Sequence, residues 1–279
     1  MGVQKNKDLN KIANILKPLI PVLAATYGFA LIYVTALPLN GDNHTIGNNL
    51  LSMLLTLVCI GLTFFLVNRV EPKLFPSSLH FIQNKPKISV IAGILLIAPL
   101  WLVSEGYIVY GLTSLVKDVH TESLTYTAAE LREDLLASVH AVLLAPVLEE
   151  LCFRQMAISP FRRRGTQIVV CVVMALLFGV LHVRNFPGAF LSAIVYGLVF
   201  IFSRNIWYSV ALHAGHNLTV TLLAIYCWLG LGDTQMAKMP VIFLPDIKVL
   251  IGGVVLASIG IWLIISNLRN QKQKREPLS

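Results

Sequence analysis

The chain has 279 residues, 56% of them hydrophobic and only 13% charged, with a mean hydropathy of +0.73, values far from those of soluble domains. Its net charge of +8 is explained by the positive-inside bias of membrane proteins, so a nucleic-acid partner is not expected. Backbone polar groups in lipid must be satisfied within each segment, and a chain this apolar is therefore expected to be all-α: a polytopic transmembrane helix bundle.

Eight apolar runs of roughly 20 residues predict eight spans, at Leu16–Pro38, Asn48–Val70, Ile88–Leu112, Leu135–Pro160, Thr166–Val183, Pro187–Ser203, Ile206–Leu229 and Ile247–Leu268. With the N-terminus inside, most basic residues fall on one side: Lys5, Lys7, Lys11 and Lys17, then Arg69, Lys73, Lys85 and Lys87, the Arg162–Arg164 turn, Arg204, and Arg269, Lys272, Lys274 and Arg275. Both termini are accordingly expected to be cytoplasmic. The first run follows a lysine-bearing segment but lacks a small-residue cleavage site, which predicts an uncleaved span. Repeats, low-complexity tracts and linkers are absent, so residues 1–279 are read as one integral membrane domain. The connection Thr113–Asp134 is net acidic; its Leu115, Val119, Leu124 and Leu131 allow a short surface helix, and a plain solvated connection fits equally well. Cys59, Cys152, Cys171 and Cys227 all lie in apolar runs and read as small hydrophobes, without a disulfide framework.

Ionisable groups inside membrane helices are costly and are functional candidates by default. Glu105 stands alone in the third span and is a secondary candidate. The fourth span carries Glu149-Glu150-Leu151-Cys152-Phe153-Arg154. Helical positions four apart share a face, so Glu150 pairs with Arg154 while Glu149 turns to another side. An ion pair alone explains the first two and leaves Glu149 without a role. Pro146, one turn before Glu149, predicts a kink that makes room for water. Cys152 lacks a basic residue at i+4 and reads as packing.

The fifth span ends Phe178-Gly179-Val180-Leu181-His182, and His182 taken alone also fits a packing residue bonded across the bundle. In the seventh span, His213, His216 and Asn217 occupy i, i+3 and i+4, one polar stripe. Helix rise puts Glu149 about 20 Å from the Arg162–Arg164 turn and His182 about 25 Å from the same side, with His213 and Asn217 about 12 and 18 Å in from Asn205. Modest offsets and tilts bring such groups together.

At these residues the sequence resembles the CAAX protease and bacteriocin-processing (CPBP, Abi) family of intramembrane glutamate endopeptidases. Its pattern is Glu-Glu-x-x-x-Arg, Phe-x-x-x-His and His-x-x-x-Asn; here the three occur in order within about Leu135 to Leu229, residues 135–229 forming the motif-bearing core. The resemblance implies hydrolysis of a peptide bond in a peptide or membrane-associated precursor. Glu149 would activate water with help from His182, His213 and Asn217 would stabilise the oxyanion, and Glu150 with Arg154 would orient the site or substrate. Phe178 and the additional His216 are accessory candidates.

The resemblance implies no metal and no cofactor. Zinc is the mechanistic rival, since two carboxylates and three histidines are potential ligands, although no His-Glu-x-x-His helix occurs. A non-catalytic bacteriocin immunity protein would use the same groups as structural glue. A proton-coupled carrier is disfavoured by the lack of a repeated half. Expected partners are the substrate and membrane lipid, and the expected location is a bacterial cytoplasmic membrane.

Overall fold

The structure is a computed structural model and describes residues 19–36, 46–69, 83–238 and 240–273. Lys5, Lys7, Lys11, Lys17, Lys73, Lys274 and Arg275, the ends of the first predicted span and Val70 lie outside these described residues. Helices α1 (Ile20–Ala36), α2 (Ile46–Arg69) and α3 (Ile88–Ser114) are followed by α4 (Ala128–Leu143) and the short α5 (Ala145–Glu150), which runs into a π-helical turn, Leu151–Met156. Then come α6 (Arg164–Leu181), α7 (Phe186–Ser203), α8 (Ile206–Trp228) and α9 (Ile247–Gln273). Seven helical segments among the described residues are long and apolar enough to cross a membrane, with α4, α5 and the π turn counted as one; the apolar α1 is shorter. The fold is an all-α polytopic bundle.

The bundle is apolar on its outside and selectively polar within. Leu50, Leu54, Leu57 and Phe65 of α2, and Ile251, Val255 and Trp262 of α9, are exposed, as lipid-facing side chains should be. The inward face of α2 instead buries Asn49, Ser52, Thr56 and Thr63. Ser52 donates to the Thr35 carbonyl at 2.6 Å, Thr63 meets the Tyr27 hydroxyl at 3.1 Å, and Thr56 meets His140 Nε2 at 2.8 Å. In lipid such interhelical hydrogen bonds and close packing replace the hydrophobic drive to associate. Close packing is clearest where α3 crosses α9: a Cβ on Gly93 would lie 2.6 Å from the Gly260 carbonyl oxygen, so the crossing depends on both glycines.

Local sequence sets the element boundaries. Thr127 caps α4 in a reciprocal capping box, its hydroxyl accepting from the Glu130 amide while Glu130 accepts from the Thr127 amide. Asn205 caps α8 by accepting from the Trp207 amide at 3.0 Å. The predicted fourth span starts earlier than expected, at Ala128, and is interrupted at Leu144 (φ −109°, ψ −48°), two residues before Pro146. Segment 113–127 forms no surface helix: Leu115 is exposed, Glu122–Ser123 is a strand (β1), and Leu131 is buried inside α4. Strand β1 adds to the hairpin of β2 (Thr234–Lys238) and β3 (Val241–Pro245) to make a small antiparallel sheet ordered β1-β2-β3, an addition to the helical fold that the sequence reading lacked. β3 packs on α3 at the end of the bundle where α4 and α9 begin.

Candidate active site

The π turn is the foundation of the site. Leu151, Cys152, Phe153, Arg154 and Gln155 are buried one after another, which requires neighbours on every side of the turn. One neighbour is α1, where a Cβ on Gly28 would lie 2.9 Å from Cys152 Cβ and 3.2 Å from the Phe153 ring. The first helix thus packs directly against the turn that follows the glutamate pair, and Cys152 is a fully buried packing residue.

The adjacent glutamates have different surroundings. Glu150 is fully buried, with Oε1 3.0 Å from Arg154 Nη1 and 3.0 Å from His213 Nδ1, and Oε2 accepting from the Ser209 hydroxyl. Arg154 also donates to the Ala193 carbonyl at 3.1 Å, and its guanidinium lies 5.1 Å from the Phe178 ring centroid and 5.7 Å from that of Tyr196. Salt bridge, carbonyl bond and two aromatic faces together accommodate a buried cation. Glu149 is approached by His213 Nε2 at 3.6 Å, beyond a direct hydrogen bond. His213 therefore stands between the two carboxylates, one ring nitrogen toward each.

Phe178 joins the three motifs. Its ring stacks on His182 at a centroid distance of 4.4 Å, meets His213 edge-on at 6.0 Å, and receives Phe153 edge-on at 5.4 Å besides the Arg154 guanidinium. His182 follows the last residue of α6 with non-helical dihedrals (φ −97°, ψ 54°) and bonds through Nδ1 to the Phe178 carbonyl at 2.9 Å. The spacing of four is what allows one residue to supply both a stacking ring and a carbonyl to the histidine one turn later. A carbonyl only accepts, so Nδ1 carries a proton in this bond, and in the singly protonated tautomer Nε2 is left as an acceptor. No ion pair joins His182 to Glu149 among the described residues.

Asn217 donates from Nδ2 to the Ala141 carbonyl at 2.7 Å, at the end of α4 just before the Leu144 break. His216 turns away from the glutamate pair, its Nδ1 2.8 Å from the Tyr196 hydroxyl, 3.3 Å from the Ser192 hydroxyl and 3.6 Å from Glu105 Oε2. The stripe read from the sequence is thus divided between two environments.

Sequence reasoning missed Ser209, Tyr196 and His140. Ser209 carried a signal, lying one turn before His213 as Asn217 lies one turn after it. Tyr196 carried none: it is one aromatic among many in α7, yet it stacks on His213 at 4.7 Å and its backbone carbonyl accepts from Ser209 at 2.9 Å. His140 lies in α4, held by Thr56. Among the described residues, no three His, Cys, Asp or Glu side chains are grouped as a metal site.

No curated protein and no solved structure matches the chain. Residues 131–219 match the family described as type II CAAX prenyl endopeptidase Rce1-like. That stretch, about a third of the chain, contains every motif position from Glu149 to Asn217, so the similarity to this family is carried by the residues of the three motifs.

Proposed function

We propose that this protein is an intramembrane endopeptidase in which Glu149 is the general base, acting on a peptide or membrane-associated precursor. The observation that carries the reading is the inequality of the two glutamates. Glu150 is saturated by Arg154, His213 and Ser209, whereas Glu149 has its carboxylate beside a histidine nitrogen and free of a hydrogen bond among the described residues. A saturated carboxylate is a support; an adjacent unsaturated one is available to take a proton from water.

The roles follow from donors and acceptors. Water gives one proton to Glu149 while its second hydrogen is held in a hydrogen bond by the bare Nε2 of His182, and its oxygen attacks the peptide carbonyl carbon; that second proton stays on the adduct and passes from the new acid to the released amine. Glu150 holds the Nδ1–H of His213, so a protonated His213 presents Nε2–H to the developing oxyanion. Asn217 has two amide hydrogens: Ala141 takes one, and the second is assigned to the oxyanion. As the adduct collapses, Glu149 returns its proton to the leaving nitrogen and the C–N bond breaks. Arg154 holds Glu150 in position through their 3.0 Å ion pair.

On this reading no metal is needed. The topology proposed with it has both termini cytoplasmic, on the distribution of basic residues, and a bacterial cytoplasmic membrane is the location proposed for it. The test is hydrolysis of candidate precursor peptides by the purified full chain. Cleavage by wild type that disappears in both Glu149→Ala and His182→Ala is expected, and equal cleavage by all three would overturn the assignment, leaving the immunity-type reading in which the polar cluster only binds.

A further inference from the structure

Glu105 belongs to none of the three motifs and is nonetheless 95% buried in the middle of the bundle, with 5% of its surface exposed. Its Oε2 is at the end of a directed chain. The Trp101 indole N–H, which can only donate, gives to the Ser192 hydroxyl at 2.8 Å, and Ser192 passes its own proton to Glu105 Oε2. Glu105 Oε1 carries no hydrogen bond among the described residues. It rests over Gly188, where an added Cβ would collide with it and lie 2.6 Å from Asn185 Oδ1. Glu105, Asn185, His216 and Asn217 line a cavity of about 130 Å³, closed on another side by Val241, Ile242 and Phe243 of β3. That is room for about four waters.

The lining of this cavity holds one acid and no lysine or arginine. Among the described residues, the lysine and arginine ion pairs are Arg154 with Glu150 and Lys238 with Glu122, and Glu105 has only His216 within ion-pair distance, at 3.6 Å. The Asn185 side chain has no hydrogen bond among the described residues, and its amide, with Oδ1 2.6 Å and Nδ2 3.1 Å from the point where a Gly188 Cβ would lie, faces the Glu105 carboxylate with its hydrogen-bonding capacity unused. A small cation with several N–H donors matches this arrangement. Asn217 lines the same cavity and has been assigned to the oxyanion, so the scissile nitrogen, one bond from the carbonyl carbon, is released beside it.

We propose that the Glu105 cavity is an ammonium-binding subsite that receives the new amino terminus of the leaving peptide. The proposal rests on the peptide-hydrolysis reading and adds to it the destination of the second product. Its proton count closes without an outside donor: an amide and one water become a carboxylate and an ammonium, the C–N bond breaks, a C–O bond forms, and both protons of the water end on nitrogen. Glu105 and Asn185 bind the ammonium through Oε1 and Oδ1, hold the departing segment away from the newly formed carboxylate, and act as positioning residues for the chemistry at Glu149.

The test is thermal stabilisation of the purified full chain in detergent micelles at about pH 6.5, where an α-amino group is protonated. The probes are glycinamide, its uncharged analogue N-acetylglycinamide, and n-butylamine as a lysine side-chain mimic. Glycinamide is expected to raise the melting temperature of wild type and of Glu149→Gln equally, at least tenfold more effectively by concentration than the other two probes. Glu105→Gln and Gly188→Ala should each lose that response; the second drives a methyl group against Glu105 Oε1 and the Asn185 amide, displacing the proposed ligands without changing any charged residue, and serves if the first fails to fold. Equal responses to glycinamide and N-acetylglycinamide, or a response that both variants retain, would overturn the subsite. A response to n-butylamine matching that to glycinamide would overturn its assignment to an amino terminus in favour of a lysine side chain. Because Glu149→Gln lacks the proposed base and keeps the cavity, its binding response separates failure of the subsite from failure of the hydrolytic reading, which is measured by cleavage.

Discussion

Exchanging each adjacent glutamate for glutamine should produce opposite defects. Glutamine preserves shape and removes charge, so what each variant loses depends on what its carboxylate holds. Glu149 has an 11% exposed side chain and only the 3.6 Å approach of His213, so Glu149→Gln forfeits little folding energy, on the order of 1 kcal/mol or less. It removes the proposed base, and turnover should fall by about 10²–10⁴. Glu150→Gln leaves Arg154, 2% exposed, inside the bundle without its counter-ion, and also weakens the hold on His213 Nδ1. Breaking a buried pair from one side costs about 3–5 kcal/mol. At roughly 2–4 °C per kcal/mol for a chain of this size, the melting temperature should drop by about 6–20 °C.

The assay pairs a melting curve in detergent with peptide cleavage at a temperature where both variants are folded. Glu149→Gln should melt with wild type and be nearly inert; Glu150→Gln should melt early. If Glu149→Gln keeps more than about a tenth of wild-type turnover, it is not the base. If Glu150→Gln melts with wild type while Glu149→Gln melts early, the division of labour drawn from their contacts is wrong.

Three further outcomes are expected. Asn217→Ala should lower kcat by roughly 10²-fold with little change in KM, since the oxyanion exists only along the reaction path; steady-state kinetics decide, and unchanged kcat removes Asn217 from that role. Phe178→Leu keeps an apolar side chain and the carbonyl that orients His182, and removes the ring that stacks on His182 and faces Arg154, so stability should fall by about 1–3 kcal/mol and turnover by about tenfold, both read on the same sample. Treatment with a strong chelator should leave cleavage intact in protein whose metal content, measured alongside, is far below one equivalent; loss of activity restored by added zinc would establish the metal mechanism instead.

The sequence made the bundle legible because apolar runs of spanning length are a strong signal, and it made the motif residues legible because charge in such runs is rare. It left the connections obscure. The capping box at Thr127 was readable as Thr-Ala-Ala-Glu, yet the charged start of α4 concealed that the helix begins there rather than at Leu135. Pro146 gave notice of a kink, but a π turn has no residue signature, and the burial of five consecutive side chains there reflects neighbouring helices rather than its own periodicity. The same limit applies to α1, whose small face at Ala24, Ala25 and Gly28 has meaning only once Cys152 and Phe153 are placed against it. The hairpin β2–β3 lies between two spans, where apolar runs carry no signal, although it closes one side of the Glu105 cavity.

His213 and His216 mark the boundary between what spacing can assign and what only packing can. Their separation of three puts them on one stripe of α8, and from spacing alone both point toward the same chemistry. Tyr196 divides them: its ring stacks on His213 at 4.7 Å, and its hydroxyl takes His216 Nδ1 at 2.8 Å. One side chain on α7 thus bounds the Glu150–Arg154 pair with its ring and the Glu105–Ser192 pair with its oxygen. The bundle buries two carboxylates with separate hydrogen-bonding arrangements, and Glu149 lies outside both sets of strong bonds. A buried acid already bonded to an arginine, a histidine and a serine has little left to offer a substrate, which is why the proposed base is the neighbour that this network leaves unbound.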